Sequence, residues 1–275
     1  MTAACIAFMT LSLLLYMGAG LLLMGNLLLH RTSWEWETWG HRVLAAGLGI
    51  HSLGFVLHLV FSGRPPLSNT LLMVSPVVIA TLLTGLLVER NTRFRHLNLL
   101  LLPLATLALL YPLLMPIRLE GAESLLLTYP WLGVHVGLAL LGHVGFALAF
   151  CAAAAYLIQA RFLKHGKLNR HLPPLEGSAR VAFHAAGIGF FFFTLGLGMG
   201  FVWMFGAPGE YLGPRDTKVW MAVPTWLCYA AYLYLRGLRG WRGSRNKWLV
   251  VAGFVLALAN LFGVRHNFTD LPLGS

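Results

Sequence analysis

Residues 131–160 read WLGVHVGLALLGHVGFALAFCAAAAYLIQA, thirty consecutive positions without Asp, Glu, Lys or Arg. An α-helix rises about 1.5 Å per residue, so ~20 residues cross the ~30 Å hydrocarbon core of a bilayer. This stretch exceeds that length. Strands of a membrane barrel alternate apolar and polar over about 10 residues, and no such alternation occurs here. Inside lipid every backbone N–H and C=O must find an internal partner. A helix satisfies that demand within one segment, so 131–160 is predicted to be a membrane-spanning helix.

Working outward, comparable apolar runs occupy 3–29, 41–61, 67–88, 96–115, 179–206, 218–236 and 247–264. The expectation is an all-α polytopic membrane protein, a bundle of eight transmembrane helices forming a single integral-membrane domain over 1–275. The composition agrees: 58% of residues are apolar and 11% are charged, against about a quarter charged in soluble domains. The first run lacks a preceding basic region, so it is read as a span rather than a cleaved signal.

The net charge of +11 could suggest nucleic acid, but most of the basic residues sit in short loops between apolar runs. There they set orientation. One set of alternate loops, including those around Arg93, Lys167 and Arg242, holds fifteen Lys and Arg; the other holds five. The first set is expected on the cytoplasmic side of a bacterial inner membrane, which places both termini outside. The bilayer is then the partner, and nucleic acid is not. Cys5, Cys151 and Cys228 all lie in apolar runs, and no CxxC occurs. A dithiol centre or covalent haem attachment is not expected.

Histidines inside apolar runs are functional candidates, because an ionisable group in lipid is costly. His51 and His58 are seven apart, one helical stripe at two depths about 10 Å apart. His135 lies near the outer end of its run, and His143 lies deeper. His266 follows the last run, also outside. His184, near the opposite face, reads as structural. Imidazole is a common axial ligand of haem iron. Between His135 and His266 come Trp203, Arg215, Asp216, Lys218, Trp220 and, beside His266, Arg265. Tryptophan offers a flat interfacial face, and Arg or Lys can pair with propionates. The expected iron ligands are His135 and His266, with His51, His58 and His143 in reserve.

Six pieces of sequence, in order, resemble the cytochrome c assembly family of haem-handling membrane proteins, which includes CcsA, CcmC and CcmF. They are Ser62-Gly-Arg-Pro-Pro-Leu-Ser-Asn69, Trp131-Leu-Gly-Val-His135, Tyr156-Leu-Ile-Gln159, Leu195-Gly-Leu-Gly-Met-Gly-Phe-Val-Trp203, the run from Trp226 to Leu233, and Asn260-Leu-Phe-Gly-Val-Arg-His266. The chain looks closest to the HemX/YpjD-like branch. It departs from the family's tryptophan-rich loop, which continues into Asp-Pro-Lys. Here Arg215-Asp216-Thr217-Lys218 keeps only the Asp and Lys, and Tyr234 stands where CcsA members carry a membrane histidine.

The resemblance implies a membrane protein that binds b-type, non-covalent haem and acts in cytochrome c biogenesis or tetrapyrrole control. Its partners would be other cytochrome c biogenesis or haem-synthesis proteins. It would work by binding and orienting the cofactor rather than by turnover of its own. The alternatives are a haem-free regulatory subunit controlling haem synthesis, a small-molecule transporter, and a haem-based membrane oxidoreductase. No convincing internal repeat supports the transporter.

Overall fold

The computed structural model describes residues 3–28, 34–62, 70–92, 94, 96–114, 129, 131–167, 172–206 and 216–264. Among them the regular structure is entirely helical. The helices are α1 (Ala3–Leu28), α2 (Trp34–Ser62), α3 (Thr70–Asn91), α4 (Leu97–Leu114), α5 (Trp131–Lys164), α6 (Leu175–Gly206), α7 (Thr217–Gly237) and α8 (Ser244–Gly263). Every predicted run corresponds to one helix. Seven are long and apolar enough to cross a membrane; α7 is long enough but falls short in apolarity. The protein is therefore a multi-pass helical membrane protein.

Helix α2 begins seven residues before the apolar run, at Trp34 rather than 41. Its extra turns carry Glu35 and Glu37. Carboxylates there complement the positive end of the helix dipole, and they make the first turns too polar in sequence to extend the apolar run. Helix α6 likewise starts at Leu175, directly after Pro173 and Pro174, and the Pro174 carbonyl accepts from the backbone N–H of Ser178. Proline just ahead of the first turn has no N–H to leave unsatisfied.

The chain divides into two compact units, Met1–Leu119 and Glu120–Ser275. In the first, α1 packs on α2 and α4, and α3 packs on α4. The buried stripe of α1 runs Cys5, Met9, Leu13, Tyr16, Ala19, Leu23, the three-and-four spacing of one helical face. Gly40, Gly47 and Gly54, seven apart on α2, lie against it. A Cβ on each would meet Leu23, Tyr16 and Phe8 respectively at 3.0 Å or less. Lipid gives helices no hydrophobic drive to associate, so close packing by small residues takes that role. Glu89 of α3 ties the other helices. It accepts from the Asn98 backbone N–H and side-chain amide at 2.8 Å each and lies 3.1 Å from His41 Nε2.

In the second unit α5 packs on α6 and α8, and α7 packs on α6 and α8. Phe146 of α5 stacks on Tyr229 of α7 at 3.7 Å, and Phe150 stacks on Phe254 of α8 at 4.6 Å. The α5–α6 pair is the closest, and it positions the site.

Candidate functional site

Helices α5 and α6 touch backbone to backbone along a glycine seam. A Cβ on Gly145 would fall 2.5 Å from Gly189 Cα, and one on Gly196 would fall 2.9 Å from the Ala139 nitrogen. The seam ends at His135, near the start of α5. A Cβ on Gly200 would come 2.9 Å from His135 Cε1, so the absence of a side chain at 200 makes room for the imidazole. His135 Nδ1 lies 2.7 Å from the Gly196 carbonyl oxygen. A carbonyl only accepts, so Nδ1 carries a proton. A backbone carbonyl accepting from one ring nitrogen is the kind of orienting bond that metal-ligating histidines commonly have.

Aromatic residues gather at the same end. Trp203, near the end of α6, is 7% exposed. Tyr129 and Trp131 meet its ring edge-on at 4.9 and 5.2 Å. Its indole Nε1 is buried without a hydrogen-bond acceptor among the described residues. Trp131 also lines an open groove of about 510 Å³ with Thr194, Leu195, Gly198, Met199 and Val202. Trp131 and His135 are four residues apart, hence on one face of α5. The cradle at Gly200, an unsatisfied indole donor and an adjoining apolar groove suit a flat, largely apolar ligand with polar groups at its edge. Haem is such a ligand.

Asp216 is fully buried, and its carboxylate caps α7 by accepting from Val219 N at 3.2 Å. Lys218 does something its charge alone did not suggest. Its ammonium donates to the carbonyls of Asn260 at 2.8 Å, Val264 at 2.6 Å and, more weakly, Leu261 at 3.5 Å. Those are orphan carbonyls at the end of α8. Lys218 therefore fastens the first turn of α7 to the chain leading into Arg265 and His266. Trp220 is half exposed, edge-on to Phe201 at 5.7 Å.

The structure thus gathers His135, Trp203, Asp216, Lys218 and Trp220 at one end of the second unit, where α5 and α7 begin and α6 and α8 end. Arg215, Arg265 and His266 lie outside the described residues. Of the reserve histidines, His143 is buried two turns further along α5, its Nδ1 bonded to the Ala139 carbonyl of its own helix at 2.7 Å. His51 and His58 are buried in the first unit. His51 Nδ1 lies 3.1 Å from the Tyr16 hydroxyl. His184 is exposed, and Tyr234 is half exposed. Sequence reasoning missed Gly196, Gly200 and Tyr129. The two glycines stand in a Gly-every-second-residue run, a spacing that assigns no helical face. Only the register of α6 against α5 reveals their use.

Fold and site together define a polytopic helical membrane protein with a histidine held by a backbone carbonyl at one end of a four-helix unit. Residues 66–269, well over half of the chain, match the Cytochrome C assembly protein family, and the chain belongs to that family. It is similar to the cytochrome c biogenesis protein CcsA of Prochlorococcus marinus strain MIT 9215, 27% identical over 239 residues, covering 78% of this chain and 76% of that protein. It is also similar to CcsA of Guillardia theta, 28% identical over 235 residues (78% and 77%), and of Chlorella vulgaris, 25% identical over 247 residues (78% of each). The family match takes in α3, α4 and the second unit through residue 269, with His135 and His266. It leaves out α1 and α2 entirely, including His51 and His58.

Proposed function

We propose that this chain binds b-type haem, non-covalently, at the His135 end of the second unit and handles it in cytochrome c biogenesis. The observation that carries the reading is the orientation of His135, held by the Gly196 carbonyl in the space that Gly200 leaves open. Membership of the cytochrome c assembly family supports it. His135 and His266 would hold the iron, and Trp131, Trp203 and Trp220 would offer the ring aromatic faces. Arg215 and Arg265 would pair with the propionates, because an unpaired buried carboxylate is costly. Lys218 holds the His266 segment by its bonds to α8, and Asp216 sets the start of α7. Haem supplies the redox-active iron, and the protein supplies its placement.

The tryptophan-poor run Gly213-Pro214-Arg215 and the exposed Tyr234 favour an accessory role of the HemX/YpjD-like kind over a complete export and ligation machine. We also infer eight spans in a bacterial inner membrane, with both termini outside. The buried face of α7 is Val219, Ala222, Thr225, Tyr229 and Tyr232. Its polar members are buried within the unit, so α7 can cross lipid despite its lower apolarity.

The test is a visible spectrum of protein purified in mild detergent, with pyridine haemochrome quantification. A Soret band that survives washing and is strongly reduced or shifted in His135→Ala and His266→Ala is the expected result. Folded variants of both with the wild-type spectrum would remove this ligand pair. No Soret band, even after reconstitution with haem, would leave the haem-free regulatory subunit as the reading.

A further inference from the structure

The opposite end of the second unit holds a buried charge that nothing in the haem reading uses. Lys247, in the first turn of α8, is 0% exposed, and its ammonium makes no hydrogen bond among the described residues. It sits over the rings of Tyr156 of α5 at 5.0 Å and Tyr232 of α7 at 5.3 Å. Arg236 of α7 is close enough to repel it and lies 6.0 Å from the Phe183 ring. One guanidinium nitrogen of Arg236 is also buried without an acceptor, as is the Tyr232 hydroxyl.

A buried cation is ordinarily paired with an anion. Among the described residues no carboxylate performs that service here. The second unit's described carboxylates are Glu176 and Asp216. Glu176 bonds Arg180 at 3.0 Å on the surface, and Asp216 caps α7 at the far end. The two tyrosine faces attract a cation but carry no net charge. Two neighbouring cations and a hydroxyl thus present buried polar atoms at this end of the unit with no hydrogen-bond partner among the described residues. Arg236 is only partly covered, which gives the cluster a way to the surface.

The surroundings indicate what approaches. The α7–α8 turn adds Arg239 and Arg242, and Arg245 follows in α8; Trp241 and Trp248 beside them are 52% and 61% exposed. Exposed tryptophan at a helix end belongs at the headgroup level of a bilayer, and clustered cations there attract anionic lipid. We infer that Lys247 and Arg236, with the Tyr232 hydroxyl, form a binding site for a phosphate oxyanion at this end of the unit, suited to the headgroup of an acidic phospholipid.

The test uses the full-length protein in neutral detergent, with native mass spectrometry counting bound phosphatidylglycerol against phosphatidylcholine. Each cation near a membrane surface contributes a factor of roughly five. We expect wild-type protein to prefer phosphatidylglycerol by roughly thirtyfold, and Lys247→Gln or Arg236→Gln each to lose roughly fivefold. Lys247→Arg should retain the preference. Inorganic phosphate, added alone, separates the sources. Displacement of the lipid by millimolar phosphate supports the headgroup as the group bound. Phosphate binding that needs Lys247, without lipid preference, supports the same site for a free oxyanion. If Lys247→Gln does not fold, Arg236→Gln and Lys247→Arg decide. A preference unchanged in both Gln variants would assign the lipid to the surface arginines and overturn the site. So would wild-type protein that binds neither lipid selectively nor phosphate.

Discussion

The molecule contains two glycine seams, and they do different things. On α2, Gly40, Gly47 and Gly54 receive side chains of α1: Leu23, Tyr16 and Phe8. Between α5 and α6 the glycines receive backbone, Gly145 against Gly189 and Gly196 against Ala139. The Leu23 and Tyr16 contacts can shift by a rotamer change, whereas the Phe8 contact, made through its Cβ, and the backbone contacts can only be relieved by moving a helix. The first seam is packing with some give. The second fixes the register of two helices, and at its end that register becomes the orientation of His135. The tighter of the two seams thus lies beside His135, the residue proposed to hold haem.

The sharpest way to break this contrast is Gly145→Leu. With 2.5 Å to Gly189 Cα, a side chain there must part the helices. We expect a loss of about 3 kcal/mol or more, seen as failed accumulation or an early transition in detergent melting. A stable variant with an unchanged spectrum would show that the seam does not set the register. Next comes His135→Ala, which should remove most bound haem while leaving the melting transition near wild type, with partial recovery in added imidazole. Haem retained at wild-type stoichiometry would sever the seam from the site.

Smaller effects belong to the first unit. Glu89→Ala removes the acceptor for the Asn98 N–H and the partner of His41. It should cost about 1–3 kcal/mol, read by melting, without altering any haem spectrum. Gly40→Ala places a Cβ 2.7 Å from the flexible end of Leu23. Alanine's better helix propensity, roughly 1 kcal/mol, offsets the shift, so stability should stay within about 1 kcal/mol of wild type. A Gly40→Ala variant as damaged as Gly145→Leu would erase the distinction between the seams. His184→Ala, on the exposed face of α6, should change neither spectrum nor stability.

What the sequence disclosed follows from which physics is local. Apolar runs report the helices directly, because a span must be apolar along its own length, and each predicted run meets a helix. The first turns of α2 escaped because Glu35 and Glu37 interrupt the apolar run there. His135 was legible as an ionisable group inside an apolar run. Its cradle was not, since Gly196 and Gly200 matter only through the pairing of α6 with α5. Lys218 shows the same limit from the other side. Its charge suggested a propionate partner, yet its nearest acceptors are carbonyls more than forty residues along the chain.

That lysine also bears on the order of synthesis. Contacts described within the first unit are complete once α4 has been made. The second unit cannot close so early, because the acceptors for Lys218 at Asn260 and Val264 do not exist until α8 has left the ribosome. Until then the Lys218 ammonium lacks the carbonyls that hold it. The final described helix therefore acts as a latch for the end of the second unit that carries His135.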